Sequence, residues 1–155
     1  MKKENVSNTM NKSQQVIIHI ISEQWVTGQV LEPMKFMTTG LLTHDEKNDE
    51  WTVSYDESEA TGMTGTKTSL RLTKDGHVHF IRTGSVQMDV LFESGNHFLS
   101  QMETPFGLLD ISILTNEVKG NLSEQGGELS LGYSLNVPQQ EKISTKLNLT
   151  VAPKT

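Results

Sequence analysis

Two charged residues occupy positions where the surrounding pattern places apolar ones. Glu57 continues an alternation of apolar residues that begins at Trp51, and Arg82 continues the alternation of Val78 and Phe80. Side chains two positions apart on a strand share a face, so both charges are predicted to point into the protein. An inward arginine must be paired or lie at an opening, because burying an isolated charge is strongly unfavourable. Arg82 is therefore either an anchor for the carboxylate or phosphate of a ligand, or a residue that ties down a neighbouring loop.

Hydroxyl side chains accompany this pair on the inward faces. Thr66 and Thr68 share the parity of the leucines that follow them, and Thr115 continues the parity of the isoleucines that precede it. Hydroxyls on a buried face need hydrogen-bond partners, which a ligand, ordered water or the strand backbone can supply. The predicted ligand site has Arg82 and Glu57 as its polar contacts, with Thr66, Thr68, Thr115 and Tyr133 as hydrogen-bond partners.

The sequence signals for a metal site or a phosphate-binding loop are weaker than those for the ligand site. His77 and His79 are two residues apart, a spacing that suits one metal ion. A third ligand is needed, and only the fold could bring His44, His97 or Asp75 beside them. The apolar neighbours of His77 and His79 hold the inward face, which sends both histidines outward. The glycines ahead of Lys67 lack the spacing of a phosphate-binding loop. The sequence therefore predicts no metal ion and no cofactor.

Paired carboxylates could support general acid–base catalysis. Glu57 and Glu59 are the best-spaced pair, followed by Glu103 and Asp110, and no serine–histidine–acid order is recognisable. Solvated surface charge accounts for most of these acids. An enzyme, such as a carboxylate-dependent hydrolase, is the least favoured role, and no catalytic residue is predicted.

Composition limits the classes to which this protein can belong. The chain has 155 residues and no cysteine, which excludes disulfides, thiol catalysis and cysteine-bound metals. Thirteen Lys and Arg against nineteen Asp and Glu give a net charge of -6, the wrong sign for a nucleic-acid or anionic-membrane binder. Seventeen threonines and only two alanines argue against a helical protein.

The elements that must position these residues are strands. Apolar and polar residues alternate in 86–92, 109–115, 129–137 and 143–151, and less regularly in 16–26, 34–43, 51–57, 66–73, 77–82 and 97–103. Antiparallel strands with one apolar face must close on themselves or pair face to face. Because many of the strands are long, we predict an all-β, antiparallel up-and-down barrel of about 8–10 strands rather than an immunoglobulin-like sandwich. At most one short helical turn is expected, in the leader or in 58–63. The predicted core is Val86, Met88, Val90, Phe92, Ile111, Ile113, Leu129, Leu131, Tyr133, Leu147 and Leu149.

Motifs between Phe80 and Thr115 resemble a known family. Arg82-Thr83-Gly84-Ser85-Val86-Gln87-Met88, Phe92-Glu93-Ser94-Gly95, Thr104-Pro105-Phe106-Gly107 and Ile113-Leu114-Thr115 stand in the order found in the YwiB-like family of bacterial proteins. Tyr55-Asp56-Glu57, Lys67-Thr68, Gly127, Leu129 and Tyr133 also fit, so the resemblance covers about residues 15–151. Met102 stands where that family is expected to place a tyrosine. The resemblance implies a lipocalin- or calycin-like barrel and a cytoplasmic location, and it implies no activity.

Two roles follow from these observations. The leading one is a non-enzymatic barrel that holds a small amphipathic or anionic ligand, and the rival is a structural or protein-interaction barrel filled by its own side chains. Residues 1–13 are predicted to form a polar leader, and 14–155 a single barrel domain. We expect a cytoplasmic monomer or homodimer with no nucleic-acid and no membrane partner.

Overall fold

The computed structural model describes residues 11–154, apart from the side chains of Asn11, Met102 and Thr104. Its strands are β1 (Asn11–Val26), β2 (Gln29–Val30), β3 (Met34–Asp45), β4 (Glu50–Asp56), β5 (Thr66–Leu72), β6 (Val78–Gly84), β7 (Met88–Phe92), β8 (His97–Thr104), β9 (Gly107–Ser123), β10 (Gly126–Asn136) and β11 (Ile143–Pro153). A 3₁₀ turn at Glu59–Thr61 is the single helical segment of this part of the chain, and it lies where one was expected. No helix among the described residues is long and apolar enough to cross a membrane.

These strands form an antiparallel, nearly closed barrel. The order in the sheet is β7-β6-β5-β4-β3-β1-β11-β10-β9-β8, and the two-residue β2 pairs with β1 beside it. Apart from β2, strands that follow one another in the chain are therefore neighbours in the wall, and β1 pairs with β11, for example Ile18 with Val151. The predicted antiparallel up-and-down barrel is confirmed.

One junction of the wall is nearly unpaired. The consecutive strands β7 and β8 are joined by a single bridge, in which the N–H groups of Gln87 and Glu103 each donate to the carbonyl of the other, at 2.8 and 2.9 Å. No other pairing between these two strands occurs within residues 11–154. We call this junction, formed by residues 87–92 and 97–103, the β7/β8 seam.

A β-bulge explains why the alternation in β9 stops at Thr115. Tyr133 of β10 lies opposite Thr115, whereas the preceding Gly132 lies opposite Glu117, so Asn116 is an extra residue. The inward positions change from odd to even numbers across it, which turns Val118 towards the core. The strand therefore runs to Ser123, well beyond the end of the predicted 109–115 segment.

The interior has a packed end and a hollow end. The packed end lies where β3 turns into β4 and β5 into β6. It is filled by fully buried aliphatic side chains, among them Val16, Ile18, Leu42, Val53, Leu70, Val78, Leu129 and Leu131. Seven of the predicted core residues are buried: Val90, Phe92, Ile111, Ile113, Leu129, Leu131 and Leu149. Val86, Met88, Tyr133 and Leu147 are only partly buried, and all of these except Val86 border the space at the hollow end.

The predicted leader overlaps the first strand. Lys12 pairs with His44 and Ser13 with Thr43, so residues 11–13 belong to the wall. The rest of the predicted leader, residues 1–10, lies outside the described residues.

Candidate functional site

The hollow end of the barrel contains a cavity of about 330 Å³. This volume is at the lower end of the range of pockets that hold small molecules, about 300–1,000 Å³. Most of the wall is apolar and includes Ile20, Phe36, Phe80, Met88, Ile111 and Leu147. The polar groups that line it include Tyr55, Glu57, Arg82, Tyr133 and Thr145. The cavity can therefore accommodate a molecule with an apolar body and a small polar end.

Glu57 follows the last residue of β4 and keeps the inward direction of that strand. Its backbone N–H donates to the carbonyl of Thr66 at 2.8 Å, which holds it beside β5. Only 1% of its side chain is exposed. Two hydroxyls satisfy the carboxylate: Thr61 Oγ1 donates to Oε1 at 3.0 Å, and Thr68 Oγ1 donates to Oε2. The acid is thus buried and hydrogen-bonded on both oxygens.

Arg82 reaches the same place from β6. Its Nη2 lies 3.7 Å from Glu57 Oε2, and its Nε donates to Thr68 Oγ1 at 3.3 Å. The guanidinium carbon lies 4.6 Å from the centre of the Phe80 ring, within the range of a cation–π contact. The predicted inward direction of Arg82 and its pairing with Glu57 are confirmed. Among the described residues Arg82 donates its side-chain hydrogen bond through Nε and pairs with Glu57 through Nη2, so Nη1 is the group left to donate to an anion.

Two phenols, from the only tyrosines of the chain, line the cavity with this pair. Burial raises the pKa of Tyr55, the negative charge of Glu57 raises it further, and Arg82 opposes the shift. Burial also raises the pKa of Tyr133, against the opposing effects of Arg82 and of a hydrogen bond with Thr145. Both phenols therefore stay protonated at neutral pH and can donate a hydrogen bond.

The six residues predicted for the site fall into three groups. Arg82, Glu57 and Tyr133 line the cavity, and Thr68 lies behind the ion pair and bridges it. Thr66 is buried away from the cavity, where its Oγ1 accepts from the N–H of Val86 at 3.2 Å. Thr115 is also buried off the cavity wall, and its hydroxyl has no hydrogen-bond partner among the described residues.

Sequence reasoning missed other polar groups of the cavity. Thr145 shares the inward parity of β11, a signal that could have identified it. Thr61 comes from the 3₁₀ turn, where no strand periodicity exists to indicate its direction.

The other chemical candidates lie elsewhere. Glu59 is exposed on the 3₁₀ turn, and Glu57 is the one carboxylate among the cavity-lining residues of the described chain. The two-carboxylate arrangement considered for a hydrolase is thus not brought together there. His79 is on the outer surface, with Nδ1 2.8 Å from Arg71 Nη2 and Nε2 2.5 Å from Asp89 Oδ1. No group of three metal-ligating side chains occurs within the part of the chain that the structure describes.

Comparison with known proteins gives a family and a fold. Residues 18–149 match the family model described as "Domain of unknown function (DUF1934)". A relative from Bacillus subtilis (strain 168), "Uncharacterized beta-barrel protein YwiB", is 26% identical over 119 residues, which are 77% of this chain and 80% of that protein. The crystal structure of ywiB protein from Bacillus subtilis superposes with a TM-score of 0.82 at 23% identity, over 96% of this chain and 98% of that one. The resemblance to the YwiB-like family is confirmed.

Proposed function

This chain belongs to the DUF1934 family, and from that premise we propose that it is a non-enzymatic binding protein for a small amphipathic molecule. The family supplies no activity, so the proposal depends on the cavity. The observation that carries it is a space of about 330 Å³ inside the barrel with an arginine in its otherwise largely apolar wall. A lipocalin-like use of the barrel is a fold-level analogy and adds only secondary support.

The arrangement of the walls favours a particular kind of ligand. Side chains such as Ile20, Phe36 and Leu147 would cover an apolar chain or ring. Arg82 would bind its anionic end through Nη1, with Tyr133 as a neighbouring donor. Glu57 already offsets much of the charge of Arg82, so a singly charged group is favoured over a doubly charged one. We therefore propose a monocarboxylate rather than a phosphate monoester.

The rival function is a barrel filled by its own side chains. The aromatic residues separate the two roles, because they either fill or border the interior. Phe92 is buried in the packed core, and Trp51 stacks on His44 at the far end with ring centres 3.9 Å apart. Tyr55, Phe80 and Tyr133 border the cavity without closing it. This arrangement supports the binding function over the filled barrel.

The proposal is tested by titrating the protein with a fluorescent fatty acid, 11-(dansylamino)undecanoic acid. We expect saturable binding in the micromolar range and at least tenfold weaker binding by Arg82→Met. The matched control is Arg71→Met, since Arg71 is the only other arginine and faces outward on β5. Native mass spectrometry of protein purified from its host should show a retained molecule that is lost on denaturation. No probe binding at tens of micromolar, together with no retained molecule, would contradict the proposal.

Location and assembly remain predictions. Cell fractionation should find the protein in the cytoplasm, and sedimentation should find a monomer or homodimer. Neither measurement bears on the cavity itself.

A further inference from the structure

We propose that the β7/β8 seam is a lateral opening through which the ligand of the cavity enters and leaves the barrel. This inference rests on the proposed function, because it concerns access to the same site. It makes the seam, rather than the hollow end of the barrel, the main route to the cavity, and it identifies the strands that must separate.

Pairing across the seam stops where a regular ladder would continue. In an antiparallel ladder, residues two positions beyond a bonded pair again exchange both hydrogen bonds. Asp89 and Gln101 lie two positions beyond the Gln87–Glu103 bridge, yet they are not paired. Instead the side chain of Ser100 donates to the carbonyl of Asp89 at 3.2 Å. A single bridge therefore joins β7 and β8, whereas a ladder of several residue pairs joins every other pair of neighbouring wall strands.

The seam also connects the two sides of the wall. A groove of about 330 Å³ lies over it, lined on the outside by residues such as Asp89, Gln101 and Glu103. Arg82 and Met88 line this outer groove and the interior cavity as well. At this point the wall is about one side chain thick. Met88 can move aside at little cost, because methionine is unbranched and flexible.

Opening elsewhere in the wall would break far more hydrogen bonds. The junction of β10 and β11, for comparison, is paired without interruption from Gly127–Val151 to Leu135–Ile143. Among the groups that the structure describes, separating β7 from β8 breaks two backbone hydrogen bonds at the bridge and one from a side chain. The seam is therefore the junction of the described barrel at which an opening costs the least.

The test is a reversible cross-link across the seam. The chain has no native cysteine, so an Asp89→Cys/Gln101→Cys variant contains a single pair of thiols. The matched control is Ser134→Cys/Ser144→Cys, because these two hydroxyls lie 3.3 Å apart on the fully paired β10/β11 junction beside Tyr133 and Thr145 of the cavity. Stopped-flow mixing with 11-(dansylamino)undecanoic acid then gives association and dissociation rates for the oxidised and reduced forms. If the Asp89/Gln101 pair does not oxidise cleanly, Gln87→Cys/Glu103→Cys locks the existing bridge instead.

Oxidation of the seam pair should slow association and dissociation together by at least tenfold, and reduction should restore both rates. The Kd should change less than twofold, because a barrier on the path affects both rates equally. The control pair should change neither rate. Unchanged rates in the oxidised seam variant, with the probe still bound, would refute the lateral opening and leave the proposed function standing.

A second measurement tests the opening without any ligand. Single-cysteine variants Met88→Cys and Leu147→Cys both place a thiol at a partly buried position on the cavity wall, but only position 88 also borders the outer groove. Reaction with 5,5′-dithiobis(2-nitrobenzoic acid) should be at least tenfold faster at position 88. Equal rates would refute the opening. A fast reaction at position 88 in a protein that binds no probe would refute the proposed function alone.

Discussion

The substitution Arg82→Met tests whether the ion pair in the cavity wall is structural as well as functional. Arg82 is the one cation among the described residues that line the cavity, and Nη2 is 3.7 Å from a carboxylate whose side chain is 1% exposed. Methionine keeps much of the apolar stem and removes the charge. The carboxylate of Glu57 then remains buried with hydroxyl partners alone, those of Thr61 and Thr68 and the phenol of Tyr55.

The expected destabilisation is moderate. Removing one partner of a fully buried pair costs about 3–5 kcal/mol. Here the separation exceeds hydrogen-bond length, 21% of the Arg82 side chain is exposed, and Glu57 keeps its hydroxyl donors. We therefore expect Arg82→Met to lower the free energy of unfolding by about 2 kcal/mol. Arg71→Met should cost less than about 1 kcal/mol, because the contacts of Arg71 with Glu50, at 3.6 Å, and with His79, at 2.8 Å, lie on the outer surface where 43% of its side chain is exposed.

A double-mutant cycle measured by urea denaturation at neutral pH separates the pair from the packing. Glu57→Gln/Arg82→Met should be milder than Arg82→Met alone, with a coupling energy of about 1–2 kcal/mol. Tryptophan fluorescence and far-ultraviolet circular dichroism should give the same midpoint. If Arg82→Met costs less than about 0.5 kcal/mol, or if the two substitutions are additive, the carboxylate does not depend on the arginine and our reasoning is wrong.

Three further predictions concern the phenols, the packed end and the cavity volume. The folded-state pKa values of Tyr55 and Tyr133 are raised, so only the unfolded chain ionises when the pH first passes the ordinary tyrosine pKa of about 10. The contribution of the two phenols to the free energy of unfolding should therefore be fully present below that pH and fall as the pH rises above it. Absorbance at 295 nm should then show both tyrosinates appearing only with unfolding, and separate ionisation in the folded protein would contradict this. Leu131→Ala at the packed end should lower the free energy of unfolding, measured by urea denaturation, by about 2–5 kcal/mol. Lys146→Ala should leave it almost unchanged, because Lys146 is exposed. Equal effects of the two substitutions would mean that the core lies elsewhere. Leu147→Trp should fill the cavity and abolish probe binding while the fold is kept, and undiminished binding would place the ligand outside the cavity.

The period-two alternation was sufficient to predict the barrel and most of its core, because a closed sheet imposes one inward and one outward face on every strand. It also predicted the inward directions of Glu57 and Arg82, since each continues the parity of its own strand. Parity alone could not distinguish the hollow end from the packed end. Thr66 and Thr115 are inward and buried as their parity indicates, yet neither lines the cavity.

Features that depend on how a strand pairs with its neighbour, or on a turn, left no signal in the sequence. The bulge at Asn116 is one example, because it is defined by the residues of β10 that lie opposite it. The weak β7/β8 junction is another: Met88 and its neighbours alternate as regularly as any strand, and nothing in that alternation indicates that the ladder with β8 is missing. Thr61 reaches Glu57 from a turn, which has no periodicity at all.

The pairing of β1 with β11 has a consequence for how the protein folds. Ile18 meets Val151, so the wall is completed by two segments at opposite ends of the described chain. Contacts so distant in sequence carry a large loop-closure entropy and are typical of slow-folding β proteins. During synthesis the strands from β1 to β7 emerge long before β11, and the edge of β1 that β11 will cover stays open until then. An unpaired edge beside the apolar side chains of Val16, Ile18 and Ile20 can pair with another chain, so the period before closure is when aggregation competes with folding.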